Sequence, residues 1–190
     1  MHPRDRFWRI VVPSGAFAVI TTMVVVGWAV EPARYTIGYA PKQPIPFSHR
    51  VHAGENRIPC QYCHTNANRS RDATLPAVQT CTNCHRAIKL PHDNKYIKKA
   101  VTKPLKSDAP VAWKRVYRLP DYVFFDHRAH VNVGIRCQTC HGHVRKMDVM
   151  TRAMNMRMGQ CLSCHRKPAR YLPPDSPVKR GPTDCTDCHR

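Results

Sequence analysis

Residues 125–141 read FDHRAHVNVGIRCQTCH, and residues 47–64 read FSHRVHAGENRIPCQYCH. Both run Phe-x-His-x-x-His, a spacer, then Cys-x-x-Cys-His. The last five letters recur through the chain. All 10 cysteines fall into Cys-x-x-Cys pairs: Cys60 with Cys63, Cys81 with Cys84, Cys137 with Cys140, Cys161 with Cys164 and Cys185 with Cys188. Each pair is followed at once by a histidine, namely His64, His85, His141, His165 and His189. With 12 histidines in 190 residues, a given position is His about 6% of the time, so five such coincidences have odds on the order of one in a million.

Structural zinc knuckles pair two Cys-x-x-Cys units, or one with a distant His pair, and do not need His after every second Cys. A redox dithiol of the thioredoxin type comes singly in a βαβ setting, which is absent here. Cys-x-x-Cys-His is the attachment signature of c-type haem. Cysteines at i and i+3 lie on one side of a helical turn, where both sulfurs reach the vinyl groups on one porphyrin edge. Histidine at i+4 projects over the same face and binds the iron. The spacing therefore predicts five covalently held haems. Aliphatic core formers are scarce beyond the first thirty residues, and only 8% of residues are aromatic, so five flat hydrophobes would supply the missing interior. The predicted fold is mostly irregular and α, a multihaem cytochrome c with a haem-filled core, short helices and long loops.

The second axial position of each iron separates wires from catalysts, because two strong ligands favour electron transfer and an open position admits substrate. Seven histidines remain: His2, His49, His52, His92, His127, His130 and His143. The duplicated Phe-x-His-x-x-His supplies His49 and His52 in one copy and His127 and His130 in the other. Their i, i+3 spacing puts two imidazoles on roughly one face, close enough to serve two different haems. These four predict four bis-His haems. The segment RKMDVMTRAMNMRMGQ carries Met147, Met150, Met154, Met156 and Met158. Methionine is often a pliable filler, but a thioether opposite His also raises a haem potential. The fifth, His/Met haem would use Met147 or Met158, with His143 and His92 as alternatives. All five would be low-spin.

Ile10 to Val30 is uncharged. As a helix it would measure roughly 31 Å, enough to cross a hydrocarbon layer. Trp8 and Trp28 bracket it as interfacial aromatics do. Residues 1–30 are expected to be a basic cytoplasmic flank and an uncleaved single-pass anchor in the cytoplasmic membrane. Arg4, Arg6 and Arg9 favour a cytoplasmic N-terminus. Haem attachment to Cys-x-x-Cys-His occurs on the outer side of that membrane, so the haem domain faces the periplasmic or extracellular space. Residues 31–46 form a proline-punctuated tether. Residues 47–121 hold the first dihaem lobe and a basic linker, and residues 122–190 the second dihaem lobe and the C-terminal fifth haem.

A formal net charge of +19 would by itself suggest nucleic acid. Two propionates per haem add roughly −10 and five ferric cores about +5, bringing the loaded chain to about +14 oxidised and about +9 reduced. The remaining excess suits acidic partners and anionic membrane lipid rather than nucleic acid.

The His pairs resemble those of the small class III multihaem cytochromes. That resemblance implies that His49 and His127 serve the neighbouring haems at Cys60 and Cys137, while His52 and His130 reach two others. Over nearly the whole chain, PIPFSHRVHAG before CQYCH, LPDYVFFDHRAHVNVGIRCQTCHG, MGQCLSCHR and the terminal DCTDCHR resemble the pentahaem cytochrome c subunits of bacterial alternative complex III. The resemblance implies an electron-transfer subunit, not an enzyme by itself. Its partners would be the integral-membrane and iron–sulfur subunits of a quinol-oxidising complex, and a soluble cytochrome c or cupredoxin, or an oxidase, as acceptor. The alternative is a self-contained membrane-anchored multihaem quinol dehydrogenase. A catalytic multihaem reductase would often show Cys-x-x-Cys-Lys, which does not occur here.

Overall fold

The computed structural model of the chain describes residues 3–30, 36–88 and 110–190. His2 and His92 lie outside the described residues, as do parts of the expected tether and basic linker. The chain divides into two compact units, Met1–Thr36 and Ile37–Arg190.

The first unit is one helix: Pro3–Arg6, a wider π-type turn over Phe7–Val11, then Val12–Val30. The widening falls just before Pro13, which has no N–H to donate and whose ring crowds the carbonyl four residues back. A longer-reaching turn relieves that conflict. From Arg4 to Ala29 the helix is long and apolar enough to cross a membrane, and none of it is buried within the protein.

The second unit has short helices, long connections and no strand among the described residues. Among the described residues an isolated antiparallel bridge joins Val123 and His189. The longest helices, Val78–His85 and Met158–Arg166, each carry a Cys-x-x-Cys-His. Among the described residues the buried apolar side chains are Ala53, Ala67 and Val78, with Pro41 and Pro168. So few small side chains cannot offset the conformational entropy of ordering such a unit. The predicted helical and irregular architecture is what the chain adopts, with its interior left to something other than aliphatic packing.

The first Phe-x-His-x-x-His segment meets the stretch after the CQTCH turn through both backbone and side chain. Arg50 donates its N–H to the Met147 carbonyl at 3.0 Å, and Arg50 reaches the Asp148 carboxylate through Nε at 3.0 Å. Gly54 lies so close to the Arg145 carbonyl that a Cβ there would collide with it. A glycine is needed here for space rather than for its φ.

Candidate haem sites

Each Cys-x-x-Cys sits in one turn of helix, which turns both sulfurs to one side. In the isolated turns the amide of the following histidine closes onto the first cysteine: His64 to Cys60 at 2.9 Å, His141 to Cys137 at 3.0 Å and His189 to Cys185 at 2.9 Å. Asp184 and Asp187 form a capping box around the last turn. Gly142, at φ 70°, ends the CQTCH turn in the left-handed region, and Ala153 packs against it. All ten thiols are free. Among the described residues no three His, Cys, Asp or Glu side chains converge to cage a metal. That donor set does not fit zinc knuckles. It fits a macrocycle that brings four equatorial nitrogens and asks the protein only for axial ligands.

Three histidines of the Phe-x-His-x-x-His repeats lie opposite histidines that follow a Cys-x-x-Cys. The ring centroids of His52 and His85 are 6.1 Å apart, those of His127 and His141 6.4 Å, and those of His130 and His165 6.0 Å. An imidazole–metal bond of about 2.0–2.1 Å, with about 1.1 Å from ring nitrogen to centroid, predicts about 6.3 Å across a shared metal. His49 lies near His64. Burial, with His64 and then His52 nearby, pushes its pKa down to about 4. Burial likewise pushes His141 down to about 4, reinforced by His127, His64 and His49. His85 and His130 are lowered chiefly by burial as well. Low values keep these rings neutral, the form that donates a lone pair to a metal.

The other ring nitrogen fixes the tautomer. Nδ1 of His52 donates to the Ser48 carbonyl, His130 to Asp126 and His127 to Arg71, each at 2.8 Å. His64 donates to Thr74 at 2.7 Å and His165 to Pro182 at 2.5 Å. With the proton held there, Nε2 keeps the lone pair and the ring is oriented. Nδ1 of His49, His85 and His141 is buried with no partner among the described residues. Both rings of the His130–His165 pair are therefore anchored, but only one ring of the His52–His85 and His127–His141 pairs.

The thiol pairs form a series that differs from chain order. Cys63 neighbours Cys81 and Cys84, and Asn83 donates to the Tyr62 hydroxyl at 3.1 Å between those two turns. Cys137 neighbours Cys60. Cys140 neighbours Cys164 and Cys161, and Cys161 neighbours Cys188. The order is Cys81, Cys60, Cys137, Cys161, Cys185. Partial burial raises the Cys63, Cys137, Cys140 and Cys161 thiols above the ordinary thiol range.

Of the remaining sequence candidates, Met147 is half-buried, with its methyl against Gly142 and the CQTCH turn. Met158 is 58% exposed and opens the Met158–Arg166 helix. His143 is exposed and precedes the Val144–Lys146 turn. His189 faces the Tyr122 ring at 5.9 Å. Two residues here carried no signal in the sequence. Tyr117 stands 4.6 Å from the His141 ring and donates its hydroxyl to the Cys140 carbonyl at 3.2 Å. Arg152, 1% exposed, is the largest fully buried side chain among the described residues.

The family described as "Cytochrome c7 and related cytochrome c" matches residues 123–190, and the "Class III cytochrome C family" matches residues 28–111. The chain is also 30% identical, over 172 residues, to the menaquinone reductase multihaem cytochrome c subunit of Nitratidesulfovibrio vulgaris strain Hildenborough, covering 78% of this chain and 79% of that protein. Helical turns that present paired thiols, neutral histidines facing across one metal's width and an interior without aliphatic filling agree with that likeness: the chain belongs to the multihaem c-type cytochromes.

Proposed function

We propose that the chain is a membrane-anchored pentahaem electron wire. Five haem c groups would be held by the thiol pairs Cys60/Cys63, Cys81/Cys84, Cys137/Cys140, Cys161/Cys164 and Cys185/Cys188. His64, His85, His141, His165 and His189 would be the proximal ligands. His49, His52, His127 and His130 would lie opposite His64, His85, His141 and His165, leaving four bis-His centres and one on His189. The facing imidazoles at 6.0–6.4 Å carry this reading. For His189 a methionine, Met147 or Met158, is the proposed partner. Met158 is favoured because it is exposed, three residues before Cys161, whose thiol neighbours Cys188.

When bound, each haem supplies a one-electron iron couple. The protein's part is to hold the rings neutral, fix their orientation through Nδ1 and keep successive attachment sites adjacent. The series Cys81, Cys60, Cys137, Cys161, Cys185 supports an unbranched path whose ends are the Cys81 and Cys185 sites.

The apolar helix would cross the cytoplasmic membrane once, with Arg4, Arg6 and Arg9 in the cytoplasm and the lobes at 47–121 and 122–190 outside, joined by the tether at 31–46. The likeness to alternative complex III supports a place beside integral-membrane and iron–sulfur subunits. Electrons from quinol would leave to a cytochrome c, a cupredoxin or an oxidase. The relative from Nitratidesulfovibrio belongs to a menaquinone reductase, which favours a second reading in which the same wire carries electrons toward quinone.

The test is purification of the native complex in mild detergent, with the haem bands followed after adding menaquinol to the oxidised complex or menaquinone to the reduced one. Haem reduction by menaquinol, with companion subunits present, supports the first direction. Oxidation by menaquinone without reduction by menaquinol supports the second. A subunit that purifies alone, is reduced by menaquinol and shows a high-spin band shifted by cyanide would replace both with a self-contained dehydrogenase.

A further inference from the structure

Arg152 is the one charged side chain fully buried among the described residues, at 1% exposure. Burying a guanidinium is costly, and it cannot shed its proton to escape the cost. Its surroundings are built for it. Nε donates to the Met154 carbonyl at 3.1 Å and Nη2 to the Asn155 carbonyl at 2.9 Å. Just past these bonds Met156, a non-glycine residue, sits at φ 57°, in the left-handed region that L side chains disfavour. The Arg152 backbone is clamped as well, its N–H bonding the Tyr39 carbonyl and its carbonyl the Gly38 N–H, both at 2.9 Å.

The cluster is fastened to one haem-attachment turn. Arg152 Cζ lies 5.6 Å from the centre of the Tyr117 ring. The Tyr117 hydroxyl accepts the Ala153 N–H at 2.7 Å and donates to the Cys140 carbonyl at 3.2 Å. Its ring meets the His141 ring edge-on at 4.6 Å. Ala153 packs on Gly142, directly after His141. A fixed positive charge is thus held in a low-dielectric setting beside the Cys137–His141 turn.

We propose that Arg152 sets the reduction potential of the haem carried by Cys137 and Cys140, its buried charge favouring the reduced state. The inference rests on the reading that this turn carries a haem. Reduction adds one electron to the iron and lowers the net positive charge of the site by one. A nearby fixed cation therefore stabilises the reduced form relative to the oxidised form. Tyr117 is the positioning residue that ties the cation to the turn. The effect falls in the middle of the proposed path, where a raised potential makes this site a resting place for electrons between the two lobes.

The experiment is spectropotentiometric titration, with dithionite as reductant, of the full-length chain and of Arg152→Met, Arg152→Gln and Arg152→Lys. Haem-methyl NMR signals identify the site that moves. Both neutral variants should lower one of the five reduction equilibria by about tenfold or more, about 59 mV for one electron. The lysine variant should stay within about threefold of the parent, because it keeps the charge. Equal midpoints in all variants, or a lysine variant shifted as far as the neutral ones, overturns the proposal. Neutral variants that fail to assemble five haems beside a lysine variant that assembles them at parental midpoints would make Arg152 a folding strut, which also overturns it. A parent chain whose Cys137–Cys140 peptide carries no haem mass refutes the underlying reading instead.

Discussion

The two copies of Phe-x-His-x-x-His place their rings almost identically on different backbones. Phe47 lies 4.9 Å from His49 at 87° and 4.3 Å from His52 at 27°. Phe125 lies 4.9 Å from His127 at 87° and 4.6 Å from His130 at 27°. Yet Arg50–Glu55 is a π-type turn and His127–Asn132 is α-helical. The first copy is one residue longer between its second histidine and its first cysteine. Equivalent bonds locate the extra residue: Ile58 N–H reaches the His52 carbonyl at 3.0 Å, and Ile135 N–H reaches His130 at 3.1 Å. A π-type turn absorbs one inserted residue without disturbing the helix faces on either side. The lesson is that a phenylalanine wedge and i, i+3 spacing set the imidazoles, while helix type adapts to the spacer.

The harshest way to test this equivalence is to remove one distal ligand from each copy. His52→Ala and His130→Ala should each turn about a fifth of the haem high-spin, leaving the other sites low-spin. Electron paramagnetic resonance and near-infrared magnetic circular dichroism would show it. Unequal losses, or two sites lost together, would break the comparison.

Next come the glycines that follow each pair. Gly54→Ala would drive a Cβ into the Arg145 carbonyl, and Gly134→Ala would place one 2.7 Å from Pro173 Cγ at a φ of 89°. Each should cost about 1–3 kcal/mol in thermal unfolding of the haem-loaded chain. The first loses the contact of residues 47–64 with Arg145, just after the CQTCH turn, and the second a contact between the second copy and Pro173. Only Gly54→Ala should therefore alter the environment of both the Cys60 and the Cys137 site.

Acid sharpens the contrast further. His49 and His141 hold folded values near 4 against 6.5 for the free side chain. Between those values the unfolded chain takes up protons that the native chain refuses, so stability should fall as pH drops from about 6.5 toward about 4. It should be flat above that window as far as these two groups decide it. Unfolding followed at a series of pH values, with the Soret band as readout, checks the sign. Stability that rises on acidification through the window would contradict it.

The smallest expected effect is also the most pointed. Deleting Asn56 should let the first copy revert to an α-turn like the second, with all sites still low-spin and a modest loss from the Asn56 side-chain bond to the Val51 carbonyl. Loss of a bis-His signal would show that the π-type turn is needed rather than tolerated.

Much of the fold was legible because its signals are local. Paired thiols one turn apart, a histidine directly after them and an uncharged helix of membrane length are properties of a few consecutive residues. Tyr117, Arg152 and the carbonyls that hold Nδ1 were not legible. Backbone carbonyls are the same in every residue, and Tyr117 lies 23 residues from the Cys140 carbonyl that it bonds. The methionines show the same limit: their spacing could not separate one half-buried against Gly142 from one left exposed at a helix start.

By itself the sequence determined the repeat, its period and the helical or irregular class, because sterics and hydrogen bonding within one turn decide these. Only the tertiary structure decided which histidine faces which. It also decided that Cys137 meets Cys60 and that a guanidinium is buried against the tyrosine that meets His141. Those depend on closing loops tens of residues long, where packing of the whole unit selects among many pairings that local spacing leaves equal.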